Sequence, residues 1–278
     1  EQSLTQNSKL FFGSGTSPNT YLSSKKGSKY KGIPFLEYSS DGSYIGMDID
    51  MSSKKSMLFS FFQGSHLDGK RFVNQIGDSK GILLEVRDYK EMSSISYQVG
   101  LTTNNSNLLG ISSEGSFGQA DKSLTSFIGL DFLNRVKDTF FKSSFHVGMT
   151  SSTFNQMGMI EDIEDTYFSS FDIGIYRDNV FTNSDSLGLE VYQPLRSERA
   201  NINFSLPVGR TQDRQIVFQN LNLDLTPPGR QINSQLVYNT KSRNLSFYGK
   251  LGLVSNEFHQ KESKVKPYFQ FDIEFSLE

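Results

Sequence analysis

The C-terminal segment YFQFDIEFSLE (268–278) sets Phe269, Phe271, Ile273, Phe275 and Leu277 in alternation with Gln270, Asp272, Glu274 and Ser276. Successive side chains of an extended chain point to opposite faces, so this is a strand with one oily and one wet face. The pattern recurs along the chain. Ile45, Met47, Ile49 and Met51 alternate with polar or small residues, as do Ile95, Tyr97, Val99 and Leu101. Phe141, Phe145 and Val147 oppose Lys142 and His146; Ile173 and Ile175 oppose Asp172; Leu189 and Val191 oppose Glu190; and Leu251 and Leu253 follow Lys250. Further strands are expected around 57–62, 82–86, 124–132, 202–206, 217–225 and 236–238. Such an array is all-β and antiparallel, either a soluble sandwich or barrel or a membrane barrel.

Composition removes several classes. No stretch approaches the roughly 18 to 20 consecutive apolar residues that a spanning helix needs, and the mean hydropathy is negative. A membrane barrel survives that test because only alternate residues meet lipid. A net charge of −2 gives no general case for nucleic acid. Cysteine is absent, which excludes disulfides and thiolate metal sites. The 24 Phe and 12 Tyr could furnish interfacial girdles, although Trp is absent. Charged residues of both signs inside strands, at Lys142, Asp172, Glu190, Lys250, Asp272 and Glu274, suit a wet lumen. The expected fold is therefore an antiparallel membrane β-barrel of about 12 to 14 strands, mostly about 9 to 11 residues long.

Residues 1–42 read differently. The run GSGTSPNTYLSSKKGSKYK (13–31) offers little apolar burial, and is expected to be a linker or irregular N-terminal extension, with the barrel over 43–278. Lys25, Lys26, Lys29 and Lys31 belong to a solvated linker, or to a contact with anionic head groups. Residue 1 is not preceded by a leader pattern, so a mature chain or a piece of a longer one is expected.

Several segments carry a family likeness: SYQVGLTTNNSNLLGISSEGSFG (96–118), SFIGLDF (126–132), SSFDIGIYRDNVFTNSDSLGLEVYQPLR (169–196) and LDLTPPGRQINSQLVYN (223–239). They resemble the C-terminal region of subtilisin-like serine protease autotransporters of Gram-negative bacteria. The resemblance implies an outer-membrane translocator that typically closes with about 12 strands around a linker in its lumen. It also implies the partners: outer-membrane lipids, the barrel assembly machinery and a covalently linked N-terminal passenger, with a monomer expected and no nucleic acid. Translocators usually end on an aromatic residue, whereas here Phe275 is followed by Ser276, Leu277 and Glu278.

No catalytic, cofactor or metal site is expected. A subtilisin-type triad needs a Ser nucleophile activated by an oriented His, and His66, His146 and His259 lie in no such context. His146 could serve as the base of a barrel enzyme, though a lumen hydrogen-bond network suits it better. Glu161, Asp162, Glu164 and Asp165 match no Ca²⁺ loop and read as a solvated acidic loop. Pro227-Pro228-Gly229 marks a turn, placed by its shortness on the periplasmic side, with 151–165 and 255–266 on the outer side. The lumen-facing candidates are Lys142, His146, Asp172, Glu190, Lys250, Asp272 and Glu274. In the last strand Phe269, Phe271, Ile273 and Phe275 are expected to face lipid. A soluble β-rich binding module, a porin and an enzymatic barrel are the alternatives.

Overall fold

The computed structural model describes residues 2–5, 7–15, 19, 21–22, 32–39, 41–66, 77–105, 120–154, 158–242, 245–261 and 264–275. It is all-β. The first half of the chain runs through β1 (Gln2–Thr5), β2 (Ser8–Ser14), β3 (Asp41–Ser52), β4 (Lys55–His66), β5 (Gly77–Lys90) and β6 (Ser93–Asn105). It continues with β7 (Ala120–Val136), β8 (Thr139–Phe154), β9 (Ile160–Ile163), β10 (Thr166–Asp178) and β11 (Asp185–Arg199). The rest comprises β12 (Asn201–Arg210), β13 (Ile216–Asp224), β14 (Ile232–Ser242), β15 (Leu245–Ser255) and β16 (Lys266–Phe275). One 13-stranded sheet takes them in chain order except for β9, β12 and β13, which form a separate three-stranded sheet.

Every ladder of the large sheet is antiparallel, which makes it the wall of an up-and-down barrel. Its curvature follows from contacts on one face. The short 3₁₀ helix Pro34–Ser39 packs on β4 and β5, while its Phe35 ring stacks 5.0 Å from Phe127 on β7 and meets Phe168 on β10 edge-on at 6.5 Å. At about 4.8 Å per strand a flat sheet would hold β4 and β10 about 24 Å apart, so the wall wraps around this helix. Among the described residues, β16 pairs only with β15, and no ladder joins it to β1. The terminal strand is thus the end of the strand order.

The expected division at residue 42 is not a structural one. β2 pairs with β3 through Ser8↔Ile49 to Ser14↔Ser43, so the start of the chain is already wall. Ile33, Phe35 and Leu36 are fully buried, and with Tyr21 and Leu22 they pack against Phe11, Leu58, Phe62, Leu83 and Phe127 of the concave face. Asn19 fastens this segment to itself: its Oδ1 accepts from the Ile33 N–H at 2.8 Å and its Nδ2 donates to the Ile33 carbonyl at 3.0 Å. Tyr21 and Leu22 are thus buried within the Gly/Ser/Lys-rich run, and Ile33, Phe35 and Leu36 just after it. The lysines at 25, 26, 29 and 31, and the segments 106–118 and 276–278, lie outside the described residues.

The convex face is the reverse of a soluble core. Ile45, Val99, Ile128, Val147, Leu189 and Leu251 are all about half exposed, between 48% and 58%. Opposite them, Glu85, Gln98, Thr125, His146 and Glu190 are 4% exposed or less. Register locks this inversion across adjacent strands, since a one-residue slip would exchange the faces.

Candidate functional site: the polar lumen and its rim latch

The concave face carries two cross-strand rows of polar side chains in which glycine has a repeated part. In the first row, Lys142, Gly174, Glu190, Gln235, Gly252 and Tyr268 are successive partners across β8, β10, β11, β14, β15 and β16. Lys142 Nζ reaches Glu190 Oε1 at 3.2 Å and Asp172 Oδ2 at 3.2 Å, while the Tyr176 ring takes the space over Gly174, 2.9 Å from where a Cβ would lie. Gln235 Nε2 donates to Glu190, and Tyr268 donates its hydroxyl to Gln235 Oε1 at 2.5 Å, passing over Gly252. A Cβ on Gly252 would lie 2.5 Å from the Tyr268 ring.

In the second row, Glu85, Gln98, Gly129, His146 and Ser170 are partners across β5 to β10. Gln98 Nε2 donates to Asp131 Oδ2 at 2.7 Å, and its Oε1 faces His146 Nε2 at 3.0 Å across Gly129. Arg87 on β5 donates through Nε to Glu85 Oε1 at 2.9 Å, with Asp48 on β3 3.8 Å away. Tyr21 reaches the same Asp48 through its hydroxyl at 3.4 Å. Buried charges require partners because transfer out of water costs several kcal/mol per ion, and these rows supply them.

Sequence-expected positions divide sharply here. Lys142, His146, Asp172 and Glu190 are brought together on the concave face, all at 8% exposure or less. Lys250 lies half-buried on the same face with its ammonium 5.0 Å over the Tyr248 ring. Asp272 and Glu274 are exposed, because β16 ends the sheet and no strand covers its second edge. Phe269, Phe271, Ile273 and Phe275 are exposed on the opposite face at 50–73%. Glu85, Arg87, Gln98 and Asp131 were not singled out from sequence. The alternation of 95–101 and of 124–132 set Gln98 and Asp131 opposite the apolar face, but only the register reveals their partners, and Glu85 and Arg87 had no such signal.

The rim bearing the long connections holds a latch built from two of the family-like segments. Arg196, in the Gln193-Pro194-Leu195-Arg196 stretch, donates through Nε to the Gly229 carbonyl at 3.0 Å and through Nη2 to the Pro227 carbonyl at 2.7 Å. Arg230 donates to Glu198 Oε2 at 2.7 Å and to Gln193 Oε1. Ser169 donates to Glu198 Oε1 at 2.5 Å. His259 closes the cluster: its Nδ1 accepts from the Gln231 N–H at 3.0 Å, so Nε2 carries the proton and donates to the Leu195 carbonyl at 3.1 Å. Burial holds this imidazole below its ordinary pKa; the Leu195 bond opposes that, and the cations of Arg196 and Arg230 reinforce it.

This corrects the side expected for Pro227-Pro228-Gly229. The Gly229 N–H donates to the His259 carbonyl at 2.8 Å, which places the turn on the same rim as 158–165 and 256–261. The short turns at 53–54, 91–92 and 137–138 occupy the other rim. The strand before the turn, β13, is not wall: it pairs with β12, and β12 with β9. Of the acidic loop residues, Glu161 and Asp162 fall on β9, Asp165 accepts from Ser151 at 2.6 Å, and Glu164 pairs with Arg199 at 3.1 Å. Hydrogen bonds from Asn201 and Arg199 hold the Glu164 carboxyl below its usual range. Among the described residues no group of acidic and histidine side chains could hold a metal.

No protein-family model matches the chain, and no curated protein matches it in sequence, the autotransporter proteases included. Among solved structures it is similar to the toluene transporter TodX of Pseudomonas putida at 10% identity and a TM-score of 0.43, over 85% of this chain and 74% of that one.

Proposed function

We propose that this chain is an outer-membrane β-barrel with a transport role, its lumen occupied by its own residues Tyr21, Leu22 and 32–39. The observation that supports it is the inversion of the wall: an apolar convex face at half exposure and a polar concave face that is buried. In lipid every backbone donor and acceptor must be paired within the protein, which a curled antiparallel wall achieves along its ladders. An exposed apolar surface running over many strands far exceeds what monomers leave in water.

The finer reading is a translocator for an N-terminal passenger, and it rests on the family-like segments. A translocator is expected to thread a leader through its lumen. Here the lumen segment lies between two wall strands, β2 and β3, and enters from the long-connection rim. That placement favours a second reading: a barrel for small solutes occluded by an infolded loop. The chain itself is not read as a protease under either.

Two measurements decide between them. Detergent-extracted protein should migrate on a gel in a heat-modifiable way; a monodisperse, detergent-free soluble protein would refute the membrane reading. In planar bilayers the native chain should conduct poorly, and the Phe35→Ala/Leu36→Ala variant should open it several-fold. Removing a buried Phe costs about 3–5 kcal/mol, enough to unseat a short segment. Unchanged conductance in that variant would remove the occlusion, and passenger export by an intact fusion would favour the translocator.

A further inference from the structure

Near the short-turn rim the lumen wall contains a cavity of about 310 Å³ that neither network above fills. It is built on adjoining cross-strand rows. Arg87, Ser96, Asp131 and Ser144 are successive partners on β5 to β8, and Tyr89, Ser94, Leu133 and Lys142 form the next row. Beyond them Arg135 pairs with Phe140 and places its guanidinium 4.4 Å over that ring. One end of the cavity thus carries the Arg87 guanidinium, two serine hydroxyls and the Asp131 carboxylate, and the other is lined by Leu133, Phe140 and Met92 beside Arg135.

The polar end has an unmet donor. Arg87 is 3% exposed, its Nε is engaged by Glu85, and its Nη2 is buried with no hydrogen-bond partner. A buried N–H of a charged group left unmade costs about 1–3 kcal/mol or more, and a guanidinium edge beside a cavity meets that need with a carboxylate oxygen. The Ser96 hydroxyl, in the adjacent position of the row, supplies a second donor. Asp131 and Glu91 also line the space, which disfavours a dianion such as a phosphate monoester. The volume lies at the small end of the roughly 300–1,000 Å³ of small-molecule sites.

We infer that this cavity binds a small amphipathic monoanion, an aryl or medium-chain carboxylate. Its carboxylate lies at Arg87 Nη2 and Ser96, and its apolar body lies against Leu133 and Phe140. The inference does not rest on the transport reading, because binding is read on purified protein whatever crosses the wall.

The test is a fluorescence titration of the purified full chain with 2-naphthoate, with neutral 2-naphthamide as the comparator for apolar partition into detergent. The chain has no Trp, so the naphthyl signal is free of indole emission. Naphthoate should bind about 10-fold tighter than the amide, the equivalent of one charge-assisted hydrogen bond. Arg87→Lys keeps a cation beside Glu85 but has one nitrogen in place of the guanidinium fork, so no donor stands at the Nη2 position, and it should abolish most of that preference. Arg135→Gln, at an exposed position, should weaken naphthoate about 3-fold and leave the amide unchanged. Equal affinities for the two probes, or an undiminished preference in a folded Arg87→Lys protein, overturn the site. If Arg87→Lys does not fold, Ser96→Ala and Arg135→Gln decide: an unchanged preference in both overturns it, and a reduced one in either sustains it.

Discussion

Lys142 lies between Asp172 and Glu190, each 3.2 Å from its ammonium and all three nearly without solvent. Removing the cation strands two buried carboxylates, which costs far more than the pair contributes to stability. Lys142→Met should therefore destabilise the folded barrel by about 3 kcal/mol, read as a lower urea midpoint in detergent, and Lys142→Arg should recover part of the loss. His259 gives a pH dependence at the rim. Its folded form is the neutral ring, whereas an unfolded chain takes up a proton near pH 6.5, so its contribution is complete above about pH 6.5 and is lost as the pH falls below it. The protection factor of the Gln231 amide, its exchange rate divided into the intrinsic rate at each pH, should fall between pH 7.5 and 5.5 in the native chain. In His259→Gln that pH component should vanish. Of these residues, Lys142 and Glu190 were legible as inward positions because alternation alone sets direction. The role of Arg196, Arg230 and His259 was not: Arg196 and His259 bond backbone carbonyls and an amide 28 to 64 residues away, and Arg230 bonds the Gln193 and Glu198 side chains 37 and 32 residues away, which no periodicity encodes.

At the scale of elements, the strands that alternation predicted are present, yet not all belong to the wall. Ile202, Phe204 and Leu206 alternate as cleanly as any wall strand, but β12 pairs with β13 and β9, and every residue of β13 is exposed. An amphipathic strand of ten residues specifies a face and not a neighbour, so the sequence pattern could not separate ribbon from wall. This ribbon should be dispensable to closure of the wall. Replacing 206–219 by Asn-Gly joins Ser205 to its partner Asn220 through a two-residue turn. We expect that variant to keep its heat-modifiable migration, whereas a similar excision within β7 should abolish it. The Pro-Pro-Gly turn was misassigned for the same reason: its shortness was legible, but the rim it occupies depends on Arg196 and His259, which hold it beside β11 and β15.

For the whole molecule, the test lies in the solvent that meets the convex face. Val147 and Ile173 are 48% and 43% exposed there. In water an arginine at such positions changes stability within about 0.5 kcal/mol, but at a bilayer midplane it costs about 2–4 kcal/mol. Val147→Arg and Ile173→Arg should therefore lower the stability of the vesicle-reconstituted protein by that larger amount; equal stability to the parent chain would place this face in water. By itself the sequence determined the class: period-two alternation over most of its length makes strands with opposed faces, because successive side chains of an extended backbone point to opposite sides. It also determined that Lys142, His146, Asp172 and Glu190 share a face. What only the tertiary structure decided is what that face meets. The curl brings β4 and β10 around Phe35, so a segment that local composition described as a linker is buried by residues far away in sequence. Burial is a property of the curved wall, and a short polar stretch gains it only when that wall bends around the few apolar side chains it carries.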